Sequence, residues 1–269
     1  MAKTVVSPKA RVQKAITNLP AIIRSIPVAY LVAIIIAEVV AVFFNPLWGI
    51  IGHIIILAVT IFYSSSTSEQ FRQRLFLSLA LVPLVRIISW SMPLGNIPQV
   101  WWYPIIYGPL AVTVVVLMRA VGYRATDIGL NFNCLPVQLP VALTGVVFGV
   151  VEYFILTEEA EATHLVLGET PLLAGFILLV CTGFVEELIF RGVLQRSAVA
   201  IWGWWGIIYV SLIFTCLHLL HNSIIDLAFV FVIAVFFAWV VKRTGSLLGV
   251  TLSHGITNIV LYLVVPLFF

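Results

Sequence analysis

An all-α bundle of about nine transmembrane helices, with a cytoplasmic N-terminus, is predicted by three observations. Apolar residues make up 62% of the 269 and charged residues 9%, whereas a soluble domain carries about 25% charged residues. Turn signals divide the chain into apolar runs close to the roughly 17–25 residues that a helical span needs. Lysine and arginine then recur in alternate connections between those runs, the pattern that orients a polytopic protein.

The first element is a basic tail, residues 1–24, with Lys3, Lys9, Arg11, Lys14 and Arg24. The first helix is expected over residues 27–44. No small-x-small cleavage pattern follows it, so it reads as an uncleaved span and not a signal peptide. Asn45-Pro46 turns the chain into a second helix over 47–63. A polar loop, 64–74, leads to a third helix over 75–90, which contains Arg86. Residues 91–99 hold two prolines and a glycine and form a loop. The fourth helix covers 100–118, with Trp101, Trp102 and Tyr103 as an interfacial belt at its start. After a polar connection over 119–136, the fifth helix covers 137–156. Residues 157–170 read as an acidic connection with Glu158, Glu159, Glu161 and Glu169. The sixth helix starts near Pro171, and its continuation past Arg191 is left open. The seventh covers 202–220, the eighth 224–241 and the ninth 246–268.

The charges test this division. The tail is basic, and the first, third, fifth and seventh connections carry no Lys or Arg. The second has Arg72 and Arg74, the fourth Arg119 and Arg124, the sixth Arg191 and Arg196, and the eighth Lys242 and Arg243. Only Arg86 breaks the alternation. The N-terminus and the even-numbered connections are therefore expected in the cytoplasm, and the C-terminus outside.

Each ionisable residue near the middle of a span costs roughly 2.5–3.5 kcal/mol on the insertion scale. The sixth helix nevertheless carries Glu186, Glu187 and Arg191 in Gly183-Phe184-Val185-Glu186-Glu187-Leu188-Ile189-Phe190-Arg191-Gly192. Glu187 and Arg191, four apart, share a helix face and can pair, while Glu186 lies about 100° around. The seventh helix holds Phe214 and His218 at i, i+4, followed by His221-Asn222. The ninth holds His254 and Asn258, again at i, i+4. Each group alone has a plain reading: helix-end snorkelling, a structural histidine, or interhelical glue. Together they bring carboxylate, two imidazoles and a carboxamide to three helices, enough to activate water and hold an oxyanion. Glu38, Arg86, Glu152 and Asp226 are expected to be structural, and His53 and His164 have no partner in view. Cys181 and Cys216 read as small hydrophobes, and the three cysteines form no disulfide framework.

In order and spacing these residues resemble the CPBP family of intramembrane proteases, the group of type II CAAX prenyl endopeptidases and bacterial Abi proteins. The family's EExxxR, FxxxH and HxxxN motifs read here as Glu186-Glu187-Leu188-Ile189-Phe190-Arg191, Phe214-Thr215-Cys216-Leu217-His218 and His254-Gly255-Ile256-Thr257-Asn258. Thr244-Gly245-Ser246-Leu247 and the lead-in Asp127-Ile128-Gly129-Leu130 also resemble it. The resemblance divides the chain into 1–121, a basic tail with four helices that carry no motif, and 122–269, a catalytic transmembrane domain. It implies a glutamate-type protease cutting peptide bonds within the membrane. Glu186 would be the general base, polarising water together with His218. His254 and Asn258 would stabilise the oxyanion, and Glu187, Arg191 and Phe214 would support the site. No metal or other cofactor is implied.

The expected partners are a membrane-anchored protein or peptide substrate and the lipid bilayer. The net charge of +3 is too small and too dispersed to point to nucleic acid. The expected location is the cell (plasma or inner) membrane, multi-pass, in a prokaryote. Two other readings stay open. A zinc protease could draw ligands from His218, His221, His254 and a glutamate, although there is no HExxH. A transporter or scaffold could use the buried charges for ions or assembly, although no paired repeat is present.

Overall fold

The computed structural model describes residues 21–167 and 170–269. The tail lysines, Arg11 and Glu169 lie outside the described residues. Among the described residues ten helical rods follow one another: α1 Ala21–Phe43, α2 Pro46–Ser66, α3 Gln70–Ser91, α4 Gln99–Ala120, α5 Leu135–Ile155, α6 Thr157–Leu167, α7 Pro171–Trp202, α8 Trp204–Cys216, α9 Ile224–Thr244 and α10 Leu248–Leu267. No strand occurs among the described residues. Eight of the rods are long and apolar enough to cross a membrane; α8 is apolar but shorter, and α6 is the short acidic helix. The protein is thus an all-α, polytopic bundle.

Local chemistry sets the boundaries. Asn45 caps α2, its side-chain oxygen accepting from the Leu47 N–H at 2.9 Å with Pro46 in the first turn, where a missing N–H costs nothing. Ser223 caps α9 in the same way through the Asp226 N–H. Gly245, at φ 69°, ends α9 in the left-handed conformation after Lys242 and Arg243, a C-terminus favourable to cations.

Three expectations change. Residues 157–167 are helical: Glu158 and Glu159 sit in the first turn, where acids favour a helix, while Ala160 and Leu167 are fully buried. The sixth candidate helix runs 32 residues, to Trp202. It passes through π-helical turns over Leu179–Glu186 and Leu188–Leu194. The seventh is broken after Cys216. There the His218 ring bonds back to the Phe214 carbonyl through Nδ1 at 3.0 Å, a side-chain bond that competes with the helix ladder. Asn222, at φ 55°, completes the turn.

The core joins both halves of the chain. Ile34, Leu79, Leu81, Leu110, Ile128, Ile189 and Ile213 are all buried in one cluster. Large apolar side chains such as Phe62, Val147 and Phe176 point outward, as a lipid-facing surface requires. Close backbone approach sets α10 against α7 and α5. A Cβ on Gly183 would lie 2.9 Å from the Gly255 backbone, and one on Gly145 2.9 Å from the Ile256 side chain. Small residues let membrane helices meet this closely.

Candidate active site

The long α7 and the broken α8 solve a geometric problem. Plain antiparallel spans put Glu186 toward one end of its helix and His218 toward the other end of the next. Here α7 continues past Arg191, and α8 ends early. Glu186, Arg191, Phe214, His218, His254 and Asn258 all line one cavity of about 320 Å³. Glu187 is fully buried behind it.

Glu187 is the hub. Its Oε1 accepts from Arg191 Nη1 and from His254 Nδ1, both at 2.9 Å. Arg191 is 3% exposed, and its guanidinium lies 4.2 Å from the centroid of the Phe214 ring, a cation–π contact that partly replaces water. Phe214 in turn packs edge-on to Phe190, with centroids 4.9 Å apart. The i, i+4 pairing of Glu187 with Arg191 is therefore made, and it extends to the histidine of α10.

Glu186 turns the other way, into the cavity. Its Oε1 accepts from the Tyr107 hydroxyl of α4. Its Oε2 lies 3.9 Å from His254 Nε2, too far for a direct hydrogen bond. His218 Nδ1 faces a carbonyl, which can only accept, so Nδ1 carries the hydrogen. Nε2 of the neutral ring is then free to accept. Asn258 donates from Nδ2 to Thr182 Oγ1 at 2.7 Å, and Thr182 bonds the Leu178 carbonyl at 2.5 Å.

Tyr107 and Thr182 line the same cavity and were not singled out from the sequence. Tyr107 is hidden among the aromatic residues that open α4. Thr182 was detectable: it lies four residues before Glu186, so the two share a face.

His53 and Arg86 also gain partners. Fully buried Glu38 of α1 accepts from Arg86 Nε at 2.7 Å and lies 3.0 Å from His53 Nε2. Arg86 Nη2 also donates to the Leu217 carbonyl, next to His218. The first three helices thereby grip the turn that carries His218. Arg86→Gln leaves a buried carboxylate without its cation, which costs about 3–5 kcal/mol. Thermal unfolding of the detergent-solubilised protein should fall accordingly. Glu38→Gln added to it should recover stability but not His218 placement.

At the rim, His221 Nδ1 meets Glu159 Oε2 of α6 at 2.7 Å. Burial opposes protonation of His221, but the bond to Glu159 and the charges of Asp226 and Glu152 win, holding its pKa above the ordinary histidine value. The stability this clasp adds is present in full below the unfolded pKa, about 6.5, and is lost as pH rises through the raised folded value. Wild type should therefore unfold at a higher temperature than Glu159→Gln near pH 6, with the two converging at alkaline pH. His164, the other lone histidine, reaches the Tyr262 carbonyl through Nδ1 at 3.0 Å.

Among the described residues, no group of three or more His, Cys, Asp or Glu is arranged to hold a metal ion. Residues 168–260 match the family model for type II CAAX prenyl endopeptidase Rce1-like proteins. The match covers about a third of the chain and says what that stretch is similar to. The matched stretch contains every residue of the three polar motifs. No curated protein and no solved structure matches the chain. Eight long apolar helices support a multi-pass membrane protein, and the stretch that carries the polar motifs is similar to a family of membrane-embedded proteases.

Proposed function

We propose that the protein is a glutamate-type intramembrane endopeptidase, using Glu186 and His218 to activate the water that cuts a membrane-associated protein or peptide. The observation that carries this is the split between the two adjacent glutamates. Glu187 is spent on Arg191 and His254, whereas Glu186 faces the cavity beside His254 and His218.

In this reading a water hydrogen-bonded to Glu186 Oε2 occupies the cavity. Glu186 takes its proton as the oxygen attacks the scissile carbonyl carbon, and the free Nε2 of His218 helps orient that water. The carbonyl π pair moves onto oxygen. His254, protonated on both nitrogens, donates from Nε2 to that oxyanion, and Asn258 donates with the Nδ2 hydrogen not bound to Thr182. Collapse breaks the C–N bond, and the amine leaves with the proton held by Glu186. Glu187 and Arg191 fix His254, and Phe214 covers the arginine.

Residues 122–269 are the catalytic unit in this reading. Supporting it, the lead-in is tied to the motif region: Leu247 N–H donates to the Gly129 carbonyl at 2.9 Å, and Ser246 Oγ donates to the Asn131 carbonyl at 2.7 Å. Helices of residues 1–121 add Tyr107 and the Arg86 grip. The natural setting is a prokaryotic cell membrane.

The purified protein should cleave either a fluorogenic CAAX-type peptide or one of a panel of membrane-anchored C-terminal tails, and should do so in the presence of a chelator. Cleavage abolished by the chelator and restored by zinc would replace this mechanism with a metalloprotease.

A further inference from the structure

We infer that the cavity holding Glu186 opens to the non-cytoplasmic face, so that the substrate is a peptide segment at the outer end of a membrane anchor. The inference rests on the assignment of Glu186 to the catalytic water.

Two ends of the bundle differ in charge. The connections α2–α3, α4–α5 and α9–α10 and the late part of α7 carry Arg72, Arg74, Arg119, Arg124, Arg196, Lys242 and Arg243. They converge. Arg74, Asp127, Arg196 and Lys242 line a single cavity of about 420 Å³. The guanidinium groups of Arg74 and Arg196 each lie 5.3 Å from the centroid of the Tyr123 ring. The opposite end is made by the connections α1–α2, α3–α4 and α8–α9 and by α6, none of which has a lysine or arginine. Short connections rich in Lys and Arg stay in the cytoplasm. The arginine-rich cavity is therefore the cytoplasmic one.

The catalytic cavity reaches the other end. Its outer lining is Tyr103 at the start of α4, Glu159 of α6, Leu220 and His221 after α8, and Tyr262 late in α10. All belong to the end without basic residues. Arg191 lines both cavities. Paired with Glu187 and packed on Phe214, it forms the partition between them. A peptide reaching Glu186 through this cavity thus enters past Glu159 and His221, on the side opposite the basic connections.

Labelling with a membrane-impermeant maleimide tests the orientation without relying on activity. Cys134, exposed at the start of α5, reports the basic end. Glu158→Cys, in a Cys134→Ser background, reports the cavity end; Glu158 is exposed and outside the site. In spheroplasts, Glu158→Cys should label while intact, and Cys134 only after permeabilisation. Paired single-span reporters then carry one scissile sequence on either side of the membrane, and only the outer one should be cut. The reverse labelling pattern, or cleavage confined to the cytoplasmic reporter, would overturn the inference. Labelling as expected with neither reporter cut, for a sequence the purified protein cleaves, would also count against outer entry. Absence of any cleavage in the purified assay, with the expected labelling, would sink the protease mechanism and leave the orientation standing.

Discussion

Glu186→Gln is expected to lower kcat by about 10²–10⁴-fold, the usual contribution of a positioned general base, with KM nearly unchanged. Glutamine keeps the volume of the side chain, and its carbonyl oxygen still accepts from Tyr107, so the fold and the cavity wall should survive. What it loses is the ability to take a proton from water. The ion pair beneath is untouched, because Arg191 and His254 hold Glu187 and not Glu186. Steady-state kinetics on one anchored tail, with thermal unfolding measured in parallel, reads both halves of the expectation. Turnover within a few-fold of wild type would remove Glu186 from the base role.

Glu187→Gln should fail differently, through stability. The carboxylate is fully buried and is the counter-ion of an arginine 3% exposed. Removing one partner of a buried pair leaves an uncompensated charge, at a cost of about 3–5 kcal/mol. Arg191 Nη2 already has no hydrogen-bond partner among the described residues, so the arginine has little to fall back on. The unfolding temperature in detergent should drop sharply. Adding Arg191→Met should recover much of it, since an apolar side chain of similar volume often replaces a buried pair at no cost. Activity should stay low in the double variant, because His254 Nδ1 has lost its carboxylate. A Glu187→Gln protein as stable as wild type would show that the arginine is satisfied elsewhere.

The different fates of the two glutamates were partly legible beforehand. The i, i+4 spacing identified Glu187 as the partner of Arg191, and the bundle and its span pattern followed from hydropathy and charge. The depth of the motifs was not legible. Hydropathy alone cannot show that α7 runs on to Trp202, because residues 192–202 are apolar enough to read as either span or surface. Nor can it show that His218 ends its own helix by bonding the Phe214 carbonyl. The 157–167 helix was hidden because acidic residues at a helix start and an acidic loop have similar composition. Tyr107, and the grip of Arg86 on the Leu217 carbonyl, depend on contacts between elements far apart in the chain. Local periodicity carries no information about such pairs. The one intramembrane arginine that broke the charge alternation was the visible trace of that grip.

The central claim is direct attack by water, with Glu186 as base and no covalent enzyme intermediate. Cys181, Thr182 and Glu186 itself are possible nucleophiles close to the cavity, so the claim can be tested by partitioning. Wild-type protein would be incubated with a cleavable anchored peptide and concentrated hydroxylamine, and the new C-terminus would be identified by mass spectrometry. Attack by water predicts a free carboxylate at every hydroxylamine concentration. A C-terminal hydroxamate that grows with hydroxylamine would reveal an acyl-enzyme or a glutamyl anhydride, and would contradict the account.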